Sequence, residues 1–378
     1  MAHSPFTFGS TVSTHAFTNR EAECEKLIKN LTSSINTMLI SPRRWGKSSL
    51  VEKVTQTIKT HNKDIRVVTL DLFSCADEKE FLEMFAREVI KASANKLEEW
   101  ITIAKTFFKQ LTPKLSVGVD PNSDLSLSFD IDEISKFSEE ILNLPEVISN
   151  KKNIKIIICL DEFQSLSSFK NYESLERKMR AAWQKHKKTT YCLYGSKRHM
   201  MAEIFNNPSK PFYRFGDVIM LQKIAEKKWI EFIVARFKKT GKNISEEEAQ
   251  RIAVLMKNHP WYVQQLALYT WNLTKTTATA KEIKNALLEV LSTNTPFYEK
   301  EIEGLSRTQV AMLKAVTAGE KQFTSVRVMQ KYSLGTPQNI RQNKTVLINK
   351  DIIDKTESDF QFLDPAFEIW FRRNFLHE

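Results

Sequence analysis

The chain has 378 residues, of which 42% are hydrophobic and 27% are charged, a composition typical of globular proteins that bury a substantial core. At roughly 100–200 residues per domain, this length predicts two or three domains. No apolar run approaches the ~20 residues that cross a bilayer, and the start of the chain lacks a secretory signal pattern, so we expect a cytoplasmic protein without membrane spans. The net charge of +11 permits contact with nucleic acid, anionic lipid or nucleotide phosphates and identifies none of them.

The first 222 residues alternate predicted helices and strands. Helices are expected over 17–34, 47–61, 78–111, 132–150 and 170–187, and strands over 36–40, 65–72, 154–160, 191–194 and 218–221. This alternation predicts an α/β fold, a parallel sheet with helices on both faces. Residues 115–131 interrupt the pattern, because apolar and polar residues alternate on either side of a polar turn, which indicates a β-hairpin insertion.

The rest of the chain is predicted to be helical at first and then to change character. Helical periodicity covers 224–240, 245–257, 260–274 and 280–297. Three further helices begin at Ser306, Thr324 and Thr336, and two short strands follow at 352–355 and 360–363. We therefore predict an α/β core over residues 1–222, a helical lid over 223–300 and a winged helix over 301–378.

Residues 41–48 carry most of the G-x-x-x-x-G-K-[ST] pattern of a phosphate-binding loop, with Ser41 in place of the first glycine. A strand before the loop and a helix after it complete the usual context, since backbone N–H groups and a helix N-terminus favour an anion. We predict that Gly46 allows close backbone approach, Lys47 neutralises the β- and γ-phosphates, and Ser48 binds Mg²⁺. The alternative is a chance Gly-Lys-Ser before a helix. The predicted nucleotide-binding residues of the loop are Ser41, Pro42, Arg43, Arg44, Trp45, Gly46, Lys47, Ser48 and Ser49, with Arg43 and Arg44 facing phosphate or a partner subunit.

A pair of acidic residues supports the interpretation of residues 41–48 as a nucleotide-binding loop. The apolar run that ends at Leu160 is followed by Asp161 and Glu162, and two carboxylates at the end of a buried strand need a reason. In a P-loop ATPase the aspartate holds the Mg²⁺ shell and the glutamate orients or deprotonates the attacking water. The alternative is that Asp161 is a helix N-cap.

Two further residues are weaker catalytic candidates beside Lys47 and Glu162. Ser196 follows another predicted strand and could sense the γ-phosphate, although a satisfied loop hydroxyl is the alternative. Arg214 lies among aromatic residues and could point at the γ-phosphate, whereas a salt bridge or a cation–π contact is the structural alternative.

Five strings of residues resemble, in the same order, the archaeal-type ATPases, a prokaryotic group of AAA+-like, STAND-class P-loop proteins. The strings cover residues 17–23, 41–50, 160–164, 195–196 and 364–371. The resemblance spans nearly the whole chain and implies an ATPase core that binds ATP or ADP with Mg²⁺, a helical lid and a C-terminal winged helix. Many members of the group act as nucleotide-driven switches rather than as fast motors.

The resemblance also implies roles outside the loop. Residues 17–21, which include Arg20, would lie near the adenine, and Pro260 would be the proline that packs against the base in the Gly-x-Pro motif of STAND proteins. Ser41 and Asn258 stand where the family has glycine. The sequence therefore supports tight nucleotide binding more strongly than rapid hydrolysis.

The third predicted helix of the winged helix suits contacts to DNA, because it carries Arg341, Lys344 and Lys350 and no acidic residue. Family winged helices also serve as lids or protein-docking modules, so DNA, a protein partner and oligomer formation all stay open. The predicted function is a Mg²⁺-dependent ATPase that acts as a switch coupled to DNA or to a partner. The alternative is an ADP-loaded signalling or docking module with negligible hydrolysis and no DNA binding.

Overall fold

A computed structural model describes residues 4–9, 20–94, 114–116, 126–128, 137–355 and 359–376. They divide into two units, one over Arg20–Gln222 and one that runs from Lys223 and includes the N-terminal residues 4–9. The elements of the first unit are α1 (Glu21–Thr32), β1 (Thr37–Ile40), α2 (Lys47–His61), β2 (Ile65–Asp71), α3 (Glu78–Ser93), β3 (Lys114–Ser116), β4 (Ser126–Ser128), α4 (Ser138–Lys152), β5 (Lys155–Asp161), α5 (Tyr172–Trp183), β6 (Thr189–Gly195), α6 (Arg198–Asn206) and β7 (Asp217–Met220).

Five parallel strands form the central sheet of the first unit, in the order β2-β5-β6-β1-β7. The middle of β5 and the whole of β6 are buried, which explains their near-continuous apolar sequences, because helices cover both faces of a parallel sheet. All five strands run in the same direction, so their carboxyl ends meet at one edge. Since β6 lies between β1 and β5, the ends of these three strands are neighbours there.

The predicted doubly covered parallel sheet is confirmed, and the hairpin strands β3 and β4 pair antiparallel with Leu115 opposite Leu127. Several predicted stretches lie outside the described residues: 17–19 of the first helix, 95–111 of the helix over 78–111, and 132–136 of the helix over 132–150.

Helix α6 was not predicted. Its apolar residues Met201, Ile204 and Phe205 are buried, but they span little more than one turn, too short a pattern to predict a helix.

The second unit is mainly helical. Its elements are α7 (Glu226–Lys239), β8 (Asn243–Ile244), α8 (Glu246–Leu255), α9 (Pro260–Leu273), β9 (Thr277–Ala278), α10 (Ala280–Glu303), α11 (Arg307–Thr317), α12 (Val326–Tyr332), α13 (Pro337–Asn349), β10 (Ile353–Lys355), β11 (Phe360–Phe362) and α14 (Pro365–Phe375). The strands β10 and β11 form an antiparallel hairpin after the three helices α11 to α13, the arrangement expected of a winged helix. No helix in the described part of the chain is long and apolar enough to span a bilayer.

The structure differs from the predicted domain boundaries at two points. Phe6 is buried in the core of the second unit, with its ring 6.0 Å from Phe232 and 5.7 Å from Phe237, so residues 4–9 do not belong to the α/β core. Helix α10 passes through the predicted boundary at residue 300, because it continues beyond Pro296 and buries Tyr298. One apolar cluster joins the predicted lid and winged helix.

Candidate active site

The carboxyl edge of the sheet brings together the loop after β1, the acid pair at the end of β5 and Ser196 after β6. Gly46 is the N-cap of α2 and has a φ of +85°, in the left-handed region where a glycine meets no steric penalty. The first backbone N–H groups of a helix have no partner within it, so the start of α2 is suited to an anion. The loop therefore has the backbone form that its glycine predicted.

The serine that replaces the first glycine of the loop fits its position. Ser41 is fully buried, does not adopt a left-handed φ, and its hydroxyl donates to the carbonyl of Pro42 at 3.2 Å. The substitution of Ser for Gly therefore requires no strained backbone. Within the loop the side chains divide by exposure: Ser41, Pro42, Trp45, Lys47 and Ser49 are buried, Ser48 is half-buried, and Arg43 and Arg44 are exposed.

Lys47, Ser48 and Asp161 form the centre of the cluster. The Lys47 ammonium lies 2.6 Å from Asp161 Oδ1, and the Ser48 hydroxyl donates to Asp161 Oδ2 at 2.8 Å. Lys47 is only 6% exposed, and its Nζ also lies 5.0 Å from the centre of the Tyr194 ring. The residues predicted to bind phosphate and metal thus lie within one hydrogen-bonded group.

The donor set fits Mg²⁺. This ion binds oxygen ligands at about 2.0–2.1 Å in octahedral geometry, so adjacent ligands lie about 3 Å apart. The separation of 2.8 Å between Ser48 Oγ and Asp161 Oδ2 is close to that spacing. Within the described ranges there is no cluster of three or more His, Cys, Asp or Glu residues that could hold a metal, so water and phosphate oxygens would supply the other ligands.

Glu162 is held in one position by several donors. Its Oε1 lies 3.2 Å from the Lys47 ammonium, and its Oε2 accepts from the Ser196 hydroxyl at 2.8 Å and from the amide of Gln164. Burial raises the pKa of the Glu162 carboxyl. The Lys47 ammonium and the hydrogen bonds outweigh burial, so the pKa of Glu162 lies below its ordinary value and the carboxylate stays charged.

The backbone at the acid pair adopts an uncommon conformation. Glu162 has a φ of +50°, in the left-handed region that is uncommon for a residue other than glycine. The Asp161 carboxylate accepts from the Glu162 N–H at 2.8 Å. Its main partners are Lys47 and Ser48, so the alternative role of Asp161 as a helix N-cap does not describe its contacts.

Gln164 and Gly195 are site residues to which the sequence analysis assigned no role. Gln164 is 4% exposed, and its Nε2 donates to Glu162. A Cβ at Gly195 would lie 1.9 Å from Gln164 Oε1 and 2.7 Å from Met201 Sδ, so only glycine leaves room for this glutamine. In the sequence, the feature that could have indicated a role for Gln164 is its position two residues after the acid pair.

Ser196, Arg43 and Arg20 extend the cluster. Ser196 donates to Glu162, and Arg43 Nε donates to Ser196 Oγ at 3.4 Å, so the predicted sensor hydroxyl lies beside the carboxylate. Arg20 is buried at the start of α1, where it donates to the Trp45 carbonyl at 3.4 Å and pairs with Glu23 at 2.7 Å. These contacts tie α1 to the loop.

Arg214, the arginine predicted to point at a γ-phosphate, lies at the opposite edge of the sheet from the phosphate-binding loop of its own chain. Arg214 precedes β7, and the N–H of Asp217 donates to the carbonyl of Asn36, the residue before β1. Arg214 therefore lies at the amino edge of the sheet, whereas the loop follows the carboxyl end of β1. The Arg214 side chain is exposed and lies 5.1 Å from the Tyr213 ring, the cation–π contact that was the structural alternative.

Pro260 lies in the second unit, as the first residue of α9. Asn258, two residues earlier, has a φ of +58°. Asparagine is the residue other than glycine that most readily takes this left-handed conformation, so it reproduces the backbone that glycine would favour. The departure at Asn258 therefore does not require a different turn.

The basic residues of α13 differ in their surroundings. Arg341 and Lys350 are exposed. Lys344 is half-buried, with its ammonium 4.6 Å from the Phe323 ring and 4.7 Å from the Phe360 ring, and burial together with the nearby Lys355 lowers its pKa. The exposed face of the helix is polar and carries no acid; it contains Gln338, Arg341, Gln342 and Thr345.

Fold and site together define a class: the first unit has the P-loop NTPase fold, and the second ends in a winged helix.

The family model described as a probable winged helix domain matches residues 296–373. Among solved structures, a Walker-type ATPase of Pyrococcus abyssi is similar, with a TM-score of 0.68 and 16% identity over 97% of this chain and 99% of that chain. The ORC2 protein of Aeropyrum pernix, solved as ADPNP–ADP complexes, has a TM-score of 0.54 and 12% identity over 95% of each chain.

These similarities confirm the predicted fold class. Both proteins are archaeal, and the first is a Walker-type ATPase, in agreement with the resemblance to archaeal-type ATPases. At 16% and 12% identity they establish a shared fold rather than a shared activity. No curated protein matches the sequence.

Proposed function

We propose that the chain is a Mg²⁺-dependent ATPase that uses its nucleotide cycle as a switch, coupled to DNA through the winged helix. The observation that carries this proposal is the hydrogen-bonded group of Lys47, Ser48, Asp161 and Glu162 at the carboxyl edge of the sheet. A phosphate-binding loop, a hydroxyl–carboxylate pair spaced for Mg²⁺ and a charged glutamate are the parts that phosphoryl transfer to water needs.

Each side chain has a role that follows from its contacts. The N-terminus of α2 and the Lys47 ammonium bind the phosphates, and Ser48 with Asp161 holds Mg²⁺. When bound there, Mg²⁺ would supply neutralisation of the negative charge on the phosphates. Glu162 accepts a proton from the attacking water as a general base, and its lowered pKa keeps it in the accepting form at neutral pH.

The coupling to DNA is supported by the winged helix and by the polar, acid-free face of α13. Arginine and glutamine, which this face exposes at Arg341, Gln338 and Gln342, are residue types that can contact phosphates and base edges. Pro260 in the second unit is the proposed contact to the nucleotide base, and Arg20 is the proposed contact on the loop side. The similar ORC2 protein was solved with ADPNP and ADP, which supports a role for both nucleotide states.

The proposal is tested with Glu162→Gln, which keeps the size of the side chain and removes the base. Loss of a general base costs about 100-fold or more in turnover, so we expect phosphate release to fall by at least this factor while Mg²⁺-dependent ATP binding is retained. Glu173→Gln, an exposed glutamate on α5, is the matched control and should leave turnover unchanged.

Two measurements on the wild type distinguish this proposal from its alternative. One is mass spectrometry of the nucleotide that copurifies, and the other is turnover with and without added DNA. Measurable turnover that rises with added DNA supports the DNA-coupled ATPase. Retained ADP with negligible turnover and no DNA binding would overturn it in favour of the signalling or docking module. Unchanged phosphate release by Glu162→Gln would refute the assignment of the base.

A further inference from the structure

The amino edge of the central sheet, opposite the candidate active site, carries two adjoining clefts. Their volumes are about 510 and 480 Å³, and Asn62, Lys63 and Ile65 line both of them. Lys155 begins β5 and donates its N–H to the carbonyl of Asp64, and the carbonyl of Lys188, just before β6, accepts from the N–H of Ile156. The clefts therefore lie across the starts of three neighbouring strands, β2, β5 and β6.

Five basic side chains line these clefts and define what we call the basic face: Lys59, Lys63, Arg66, Lys155 and Lys188. Lys59, Lys63 and Lys155 are exposed, and Arg66 and Lys188 are half-buried. Asp64 is the single acidic residue among the cleft-lining residues of the described chain.

None of these five cations forms an ion pair with a carboxylate among the described residues. Elsewhere in the same unit lysines do pair: Lys26 lies 2.8 Å from Asp217 and Lys178 lies 3.4 Å from Glu78. Unpaired like charges that share one surface repel one another, which destabilises the fold slightly unless an anion compensates them. The basic face therefore needs an explanation beyond the solubility of the chain.

A structural explanation accounts for only part of the basic face. The helices of a doubly covered parallel sheet end at its amino edge, and cations in a last helical turn offset the negative end of the helix dipole. Lys59 lies in the last turn of α2, so the dipole explains it. Lys155 is explained in the same way, because its ammonium donates to the carbonyl of Thr32, the last residue of α1, at 3.0 Å. Lys63 and Lys188 lie in the connections outside the helices, and Lys188 donates to the side-chain oxygen of Asn153 at 2.9 Å. The helix dipole does not account for these two lysines.

We propose that the basic face binds the phosphate backbone of duplex DNA. Strands about 4.8 Å apart place its cations over about 10 Å, a length over which B-DNA presents several phosphates, one charge per ~1.7 Å of axis. The residues that line the clefts include no Phe, Tyr or Trp, so the face lacks the stacking platforms that hold single strands. The choice of DNA as the ligand rests on the proposed function of the winged helix. The basic face itself lies in the first unit, whereas the winged helix belongs to the second.

The test is a titration of a DNA duplex at several salt concentrations with the full-length protein. Lys59→Gln/Lys63→Gln/Lys188→Gln removes three cations from the face. Each phosphate contact contributes about 0.9 to the slope of log K against log salt, so three lost contacts should reduce the slope by up to about 2.7. Affinity should fall by a similar factor for different DNA sequences, because backbone contacts read no bases.

The control Lys170→Gln/Lys275→Gln/Lys284→Gln loses the same net charge at exposed lysines that do not line the clefts, and it should keep the wild-type slope. Arg341→Gln tests the winged helix separately. If Arg341→Gln weakens binding and the face variant matches the control, the basic face is refuted and the winged helix stands. If the face variant loses affinity and Arg341→Gln does not, the basic face stands and the DNA contact of α13 is refuted.

Two further results would overturn the proposal for the basic face. One is a wild-type protein that shows no salt-dependent binding to the duplex. The other is equal competition by poly-glutamate at matched charge, which would identify the occupant as an acidic protein. The thermal unfolding midpoint of each variant checks that the fold is intact, and none of the substituted lysines belongs to the candidate active site.

Discussion

Replacement of Gln164 by leucine isolates the contact that holds the proposed base. Gln164 and leucine are similar in size, so the substitution keeps the packing around Gly195 and removes the amide that donates to Glu162 Oε2. The lowered pKa of Glu162 depends partly on that hydrogen bond. Without it the charged form of Glu162 loses stabilisation, and the pKa of Glu162 rises.

The size of the effect follows from the strength of the bond. A hydrogen bond to a charged group contributes about 1.5–3 kcal/mol, and 1.36 kcal/mol corresponds to one pH unit. Since Ser196 and Lys47 remain, we expect the acid limb of the pH–rate profile to move upward by about one to two pH units. Turnover at low pH falls first, because the base is protonated as pH drops through its raised pKa.

Stability should change little in the same variant. Gln164 Oε1 has no hydrogen-bond partner among the described residues, and a buried unsatisfied oxygen costs about 1–3 kcal/mol. Its removal offsets the loss of the bond to Glu162, so the free energy of unfolding should stay within about 1 kcal/mol of the wild type. Retained stability with an altered pH profile distinguishes a positioning role from a purely structural one.

The assay is single-turnover ATP hydrolysis between about pH 5 and 8, with urea unfolding measured in parallel. Gln265→Leu is the matched control, since Gln265 is 5% exposed in the second unit and its Oε1 also has no partner in the described chain. The control should leave the pH profile unchanged. Superimposable profiles for Gln164→Leu and the wild type would show that Gln164 does not set the protonation of the base.

Two predictions concern stability. Burial lowers the pKa of His186 to about 4, although the nearby Glu146 raises it, so the free energy of unfolding should fall by up to about 3 kcal/mol as pH drops from about 6.5 to 4. His186→Gln should remove this part of the dependence, measured by urea unfolding at several pH values; an unchanged curve would contradict the lowered pKa. Phe6→Ala should destabilise the second unit by about 3–5 kcal/mol in the same assay, because Phe6 is buried beside Phe237; a change below 1 kcal/mol would show that the N-terminal segment does not dock there.

The elements that the sequence predicted best are those whose signal is local. The loop at Lys47, the helix that follows and the acid pair after β5 could be placed because apolar runs and a short motif lie within a few residues of each other. Their meeting at one edge also follows from the direction of parallel strands. The fold class and the centre of the candidate site could therefore be predicted from the sequence alone.

The features that were missed depend on contacts between distant residues. Gln164 acquires its role from Gly195, on another strand, which leaves space for its side chain. The sequence around Arg214 shows its aromatic neighbours, but it does not show on which edge of the sheet this arginine lies. Phe6 joins a core that begins more than 200 residues later, and no local pattern indicates which unit a short N-terminal segment will join.

The two proposed anion-binding sites lie at opposite edges of the parallel sheet, and their binding affinities should respond differently to salt. At the carboxyl edge Lys47 is buried and faces Asp161 and Glu162, so its electrostatics are only weakly screened by added salt. At the amino edge the cations are largely exposed and form no ion pair with a carboxylate of the described residues, so binding there would release counterions and weaken steeply with salt. Between about 50 and 200 mM salt, affinity for Mg²⁺-ATP should therefore change much less than affinity for duplex DNA. Equal salt slopes for the two ligands, measured on one protein preparation, would contradict this separation, because they would place both ligands on surfaces of the same kind.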